Sequence, residues 1–122
     1  MTRAVIICGS RDWTDVDAIA RVVAAQPDHT TVITGGARGA DHLAEMCCRT
    51  TGATVYNAII RADWNTHGRA AGPIRNKAML DYLLTFDERH VYAFRSHPGS
   101  RGTNNMIEQA RRAGVTVTVI DA

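Results

Sequence analysis

The chain has 122 residues, which fits one domain spanning 1–122 and leaves no room for a second core. Its hydrophobic content of 45% and charged content of 21% are those of an ordinary globular protein. A net charge of +2 is too small for non-specific nucleic-acid binding by bulk charge.

No apolar run approaches the roughly 20 residues needed to cross a bilayer. Ala4–Cys8 is shorter than a signal-peptide core of about 7–15 residues, so a cytoplasmic location with no membrane partner is expected. Cys8, Cys47 and Cys48 have neither disulfide nor zinc spacing and read as small buried residues.

Along the chain, β-branched apolar runs alternate with segments of helical period. Arg3 to Cys8 predicts a strand, followed by the turn Gly9-Ser10-Arg11-Asp12. Asp15 to Ala25 predicts a helix with Thr14 as its N-cap. Thr30 to Thr34 is a second strand, and Gly35 to Gly39 a glycine-rich turn opening a helix over Ala40 to Thr50. Thr54 to Ile60 is a third strand. Arg61 to Gly72 has no regular period, and such long irregular connections are usually functional or mobile. Pro73 suits the first turn of a helix to about Leu84. His90 to Phe94 is a fourth strand, followed by a turn over Ser96 to Gly102. Thr103 or Asn104 caps a helix to Ala113, Gly114 stops it, and Val115 to Ile120 is the last strand.

This alternation predicts an α/β, Rossmann-like, doubly wound fold. A mainly parallel five-stranded sheet lies in a three-layer α/β/α arrangement. Every glycine turn follows a strand and precedes a helix. All of them therefore fall at the carboxyl ends of the strands, where open sheets bind ligands.

Two turns carry the strongest candidates. In Thr34-Gly35-Gly36-Ala37-Arg38-Gly39-Ala40-Asp41, glycines let backbone N–H groups approach an anion at a helix N-terminus. Arg38 adds a permanently charged phosphate partner. Alternatively the glycines only allow a tight bend. His97-Pro98-Gly99-Ser100-Arg101-Gly102-Thr103 repeats the device. Neither turn matches the dinucleotide fingerprint or the P-loop, so no nicotinamide, flavin or other cofactor is expected.

Lys77 is the only lysine. Arg11, Arg38, Arg61, Arg69, Arg75, Arg95 and Arg101 all fall on the ligand edge, which points to a phosphate-bearing ligand. Arg21, Arg49, Arg111 and Arg112 read as solvated helix faces. Asp12, Asp41 and Asp63 are candidates for ribose hydroxyls, although Asp41 equally suits capping or a hydrogen bond within its own helix start. Trp64 either stacks on a base or covers the core. Glu45 lies one turn past Asp41, and Glu108 is expected to be exposed. His42, His67 and His97 lack metal spacing, so no metal is expected. No Ser–His–Asp or Cys–His arrangement stands out.

Four motifs in order carry a resemblance. They are Gly9-Ser10-Arg11-Asp12-Trp13, Gly35-Gly36-Ala37-Arg38-Gly39-Ala40-Asp41, Ala62-Asp63-Trp64 with Gly68-Arg69-Ala70-Ala71-Gly72-Pro73-Ile74-Arg75-Asn76, and Gly99-Ser100-Arg101-Gly102-Thr103. Together they closely resemble the YspA/YpsA-related branch of the SLOG superfamily. That superfamily also holds the LOG-type phosphoribohydrolases and the DNA-processing protein DprA. The resemblance implies a small protein of bacterial or phage origin that dimerises. It also implies binding of a nucleotide or nucleotide-derived ligand, phosphoribosyl or ADP-ribose-like, at these turns. Gly35, Gly36, Arg38, Gly39, Gly99, Arg101, Gly102 and Thr103 are then the phosphate-holding candidates. Arg11, Asp41, Asp63 and Arg75 flank ribose or a second phosphate. Gly9, Ser10, Pro98 and Ser100 complete the set.

LOG-type enzymes carry P-G-G-x-G-T-x-x-E. Here Ser100 replaces a glycine and Met106 stands at the glutamate position, although Arg75 matches the upstream arginine. Glycosidic cleavage needs a carboxylate, which Met106 does not supply. Glu108 lies about 200° further round a helix of 3.6 residues per turn. Binding or sensing of a nucleotide is therefore the favoured expectation. The alternative is nucleoside 5′-monophosphate hydrolysis involving Arg75 and another carboxylate. DprA-like single-stranded DNA binding is disfavoured by the near-neutral charge and an aromatic content of 6%.

A homo-oligomer, most simply a homodimer, is expected to cover a helix face of Ala78, Met79, Tyr82 and Leu83.

Overall fold

The computed structural model describes residues 1–52 and 54–122. Five strands run β1 (Arg3–Gly9), β2 (Thr31–Thr34), β3 (Tyr56–Ile59), β4 (Glu88–Arg95) and β5 (Val117–Asp121). They form one sheet in the order β3-β2-β1-β4-β5, with every pairing parallel. The expected mainly parallel sheet is thus wholly parallel.

In β1, successive side chains alternate between faces, yet Ala4, Val5, Ile6 and Ile7 are all fully buried. Val5 and Ile7 enter the core shared with α1 (Val16–Ala24) and α2 (Ala40–Thr50). Ala4, Ile6 and Cys8 enter the opposite core, shared with α4 (Ala71–Leu83) and α5 (Arg101–Arg112). These are the three expected layers. Among the described residues no helix is long and apolar enough to cross a membrane.

Several local expectations are corrected. The N-cap of α1 is Asp15 rather than Thr14, its carboxylate accepting from the Ala18 N–H at 3.2 Å. The segment expected to be irregular, from Arg61 to Gly72, contains the short helix α3 (Trp64–His67) and a 3-10 turn at Gly68–Ala70, which leads straight into α4. Asp63 caps α3, accepting from the Thr66 N–H at 3.1 Å. Because α4 begins at Ala71, Pro73 is its third residue, still within the turn whose N–H groups lack helical partners. Helix α5 starts at Arg101, so Thr103 lies inside its first turn and is not a cap. β3 pairs only with β2 over four residues and is shorter than expected, whereas β4 pairs along β1 from Glu88 to Phe94 and is longer. Gly114 ends α5 at φ +76° as expected.

The proposed association face on α4 is divided by packing. Met79 and Leu83 belong to the core, leaving Ala78 and Tyr82 outside it.

Candidate functional site at the carboxyl edge of the sheet

From β1 the chain winds outward through β2 to β3, then returns to β4 on the other side of β1. The loops after β1 and β4 therefore leave in opposite directions, and the crevice between them is where such sheets bind ligands. A cleft of about 750 Å³ lies there. A smaller hollow, about 420 Å³, adjoins it and shares Arg11, Ala37, Arg38 and Trp64.

Three turns build the cleft. Gly9 brings β1 against its neighbours: a Cβ there would lie 2.3 Å from the Phe94 carbonyl oxygen and 2.6 Å from Ala40 Cβ. The Ser10 and Ser100 hydroxyls meet at 2.7 Å, joining the loops after β1 and β4. Ser10 Oγ also accepts from the Ser96 N–H, and the Ser100 hydroxyl donates to the His97 carbonyl. These serines hold the crevice's shape.

The turn after β2 is organised differently from a bare phosphate cradle. Glu45, buried on α2, accepts from the Thr34 hydroxyl at 2.8 Å and from the Gly36 N–H at 3.2 Å. Asp41 Oδ2 accepts from the Ala37 N–H at 3.2 Å. The turn's own helix has thus supplied carboxylates to two of its N–H groups. Gly36 and Gly39 both have positive φ, and a Cβ on Gly39 would lie 2.3 Å from the Ser10 carbonyl oxygen. A Cβ on Gly35 would lie 2.4 Å from Arg75 Nη1. Close internal packing accounts for these glycines.

The turn after β4 remains open. The Ser100 and Asn104 N–H groups bond to His97 and Ser100 carbonyls. Among the described residues no protein acceptor faces the N–H groups of Arg101, Gly102 and Thr103. They are free donors at the positive end of a twelve-residue helix.

Five arginines line the cleft: Arg11, Arg38, Arg69, Arg75 and Arg101. The ion pairs among the described residues are Lys77–Asp81, Arg95–Asp121 and Arg112–Glu108, so none of the five is in an ion pair, although the charge of Arg75 is felt by Asp41. Arg75 is the most constrained, donating to the Gly35 carbonyl at 2.7 Å and to Asn76 Oδ1 at 3.0 Å. Arg61 and Arg95, expected on this edge, do not line the cleft. Arg61 donates to the Gly36 carbonyl, and Arg95 is paired with Asp121.

Of the other candidates, Gly9, Ser10, Asp41 and Gly99 through Thr103 line the cleft, and Gly36 lines the adjoining hollow. Gly35, Gly39, Asp63 and Pro98 line neither. Asp63 is spent on capping, and the Thr66 hydroxyl and N–H hold its carboxyl below the usual range.

Asp41 is 4% exposed, and its Oδ1 has no hydrogen-bond partner among the described residues. Burial raises its pKa to about 6 against the pull of Arg75. Cys8 lies beside it, and burial pushes its thiol so far up that it is no nucleophile.

One contributor was not singled out from sequence. Asn76, buried on α4, donates to the Gly102 carbonyl and to Asn105 Oδ1, fixing α5 against α4. Its only sequence signal is its place after Arg75. Trp64, left open between stacking and packing, is 49% exposed at the cleft, with the Arg11 guanidinium 5.4 Å from its ring centroid. Met106 is wholly buried in the core under α5, so the LOG-type glutamate position does not face the cleft. Glu108 is exposed and pairs with Arg112.

The parallel sheet, the switch-point cleft and the arginine-rich turns define a Rossmann-like protein of the SLOG type. Residues 3–67 match the family described as YspA, cpYpsA-related SLOG, and the chain belongs to that family. The Gene 61 protein of Mycobacterium phage D29 is 36% identical over 126 residues, covering 94% of each chain. The X-ray structure of DNA processing protein A (DprA) from Streptococcus pneumoniae superposes with a TM-score of 0.74 at 16% identity. That match covers 99% of this chain but 51% of the other, about half its length, and is a likeness of fold.

Proposed function

We propose that the protein binds a nucleotide or nucleotide-derived ligand in the switch-point cleft, and holds it rather than cutting it. The observation that carries this reading is positive charge without ion pairing. Five arginines surround the cleft, none is ion-paired among the described residues, and three N–H groups at the start of α5 lack acceptors. Like charges gathered this way repel one another, and an anion relieves that repulsion while satisfying the free donors. Phosphate accounts for the donors, and the exposed ring of Trp64 offers a face for a base.

The phosphate belongs at α5, with Arg101 and Arg38 as its partners, rather than in the turn after β2, where Glu45 and Asp41 already occupy N–H groups. The LOG-type glutamate position is buried at Met106 and supplies no carboxylate to the cleft, which supports holding over hydrolysis.

Titration calorimetry with nucleoside mono- and diphosphates, ADP-ribose and cyclic dinucleotides tests the reading. At least one of these binds, and Arg101→Ala or Arg38→Ala weakens it about 10- to 100-fold, as expected for losing a charge-assisted hydrogen bond. Both side chains are exposed, so melting temperatures stay close to wild type. If no phosphorylated nucleoside binds, the proposal fails. Release of free base on incubation, detected by chromatography, would replace holding with hydrolysis.

A further inference from the structure

The floor of the cleft contains an unsatisfied acceptor. Asp41 lines the cleft and is 4% exposed, with Oδ2 engaged by the Ala37 N–H and Oδ1 without any partner. A buried carboxylate oxygen left unpaired is costly, and such atoms are rare in native structures. Arg75 lies close enough to pull on its charge, yet its Nη1 donates to the Gly35 carbonyl and its Nε to Asn76. Among the described residues, therefore, none supplies the donor that Oδ1 needs.

A ligand group meeting Oδ1 must offer a proton and carry no negative charge, which excludes phosphate. The open α5 N-terminus and Arg101 provide for phosphate, and the exposed Trp64 ring provides for a base. The part of a nucleotide left for Asp41 is its sugar, whose hydroxyls are neutral donors.

We propose that Asp41 is a specificity-determining residue: its Oδ1 accepts a hydrogen bond from a sugar hydroxyl, so the cleft selects ribonucleotides over a deoxy counterpart. This rests on the nucleotide-binding reading above and adds the sugar to it. A site built around a buried polar group rejects the analogue that leaves that group unpaired.

The test measures calorimetric affinities of wild-type protein for the four common ribonucleoside 5′-monophosphates and for their 2′-deoxy and 3′-deoxy forms. One deoxy series binds at least about tenfold more weakly than the ribo series. In Asp41→Ala the two then agree within about threefold, because no acceptor remains to be left unpaired. Asp41→Asn keeps the side chain's shape and an acceptor for Ala37, and it also narrows the preference, since an amide meets a hydroxyl more weakly than a carboxylate does. Equal binding of ribo and both deoxy forms by wild type overturns this inference alone. So does a preference that survives unchanged in both variants. Failure of every ribo and deoxy monophosphate to bind overturns it together with the reading beneath it.

Discussion

Gly39 and Asp41 lie two residues apart and constrain the same turn in opposite ways. Gly39 combines φ +72° with backbone carbonyls pressed against the place of a Cβ, those of Ser10 and Arg11 at 2.3 and 2.5 Å. Backbone cannot step aside as a side chain end can. Gly39→Ala is expected to lose more than about 3 kcal/mol of stability in urea titration, combining left-handed strain with displacement of the loop after β1. Gly114→Ala, at φ +76° but in open space, costs only about 1 kcal/mol. Asp41 carries a pH signature. Burial lifts its pKa from the ordinary 3.8 to about 6, with Arg75 opposing and Glu45 reinforcing the rise, while the neighbouring Cys8 stays protonated. Between these values the folded form keeps a proton that the unfolded chain has lost. The contribution of this group to stability is therefore full at low pH and is lost as pH rises through about 6. Relative to Asp41→Asn, wild type loses on the order of 2–3 kcal/mol between about pH 4 and pH 7.5 in denaturant titrations. The presence of Asp41 in a glycine turn was visible in the sequence. Its burial was not, because that depends on neighbours such as Cys8 and Arg75 that β1 and α4 bring beside it.

Elements show the same division. Thr14 and Asp15 are both acceptable caps by residue type, and only the backbone's path selects Asp15. Asp15→Ala should lower stability by about 1 kcal/mol in chemical denaturation, while Thr14→Ala leaves it nearly unchanged. On α5 the apolar period was readable, so Met106 could have been placed in the core from helical spacing with Ile107 and Ala110. The LOG-type pattern instead reads that position as a missing glutamate. The helix rotation explains why restoring that residue would not restore a catalyst. Met106→Glu buries a charge among apolar side chains and is expected to cost more than about 3 kcal/mol by urea titration, with no gain of base release from nucleotides. Met106→Leu, which conserves volume, costs less than about 1.5 kcal/mol.

At the scale of the whole molecule, the doubly wound order brings loops far apart in sequence to one crevice. Ser10 and Ser100 touch across ninety positions. Arg11, Arg38, Arg69, Arg75 and Arg101 reach one space, while Arg61 and Arg95, read from the same sequence signal, are consumed by Gly36 and Asp121. The period of the apolar residues determined strand, helix and layer. The position of each glycine turn after a strand determined which edge of the sheet carries the cleft. These follow from the sequence alone because they depend on local periodicity and on the handedness of parallel crossovers. Which arginines stay unpaired, which N–H groups stay free, and which carboxylate is buried without a partner were decided only by the tertiary structure. Each is a competition among donors and acceptors that packing brings together, and the outcome depends on distances the linear chain does not contain.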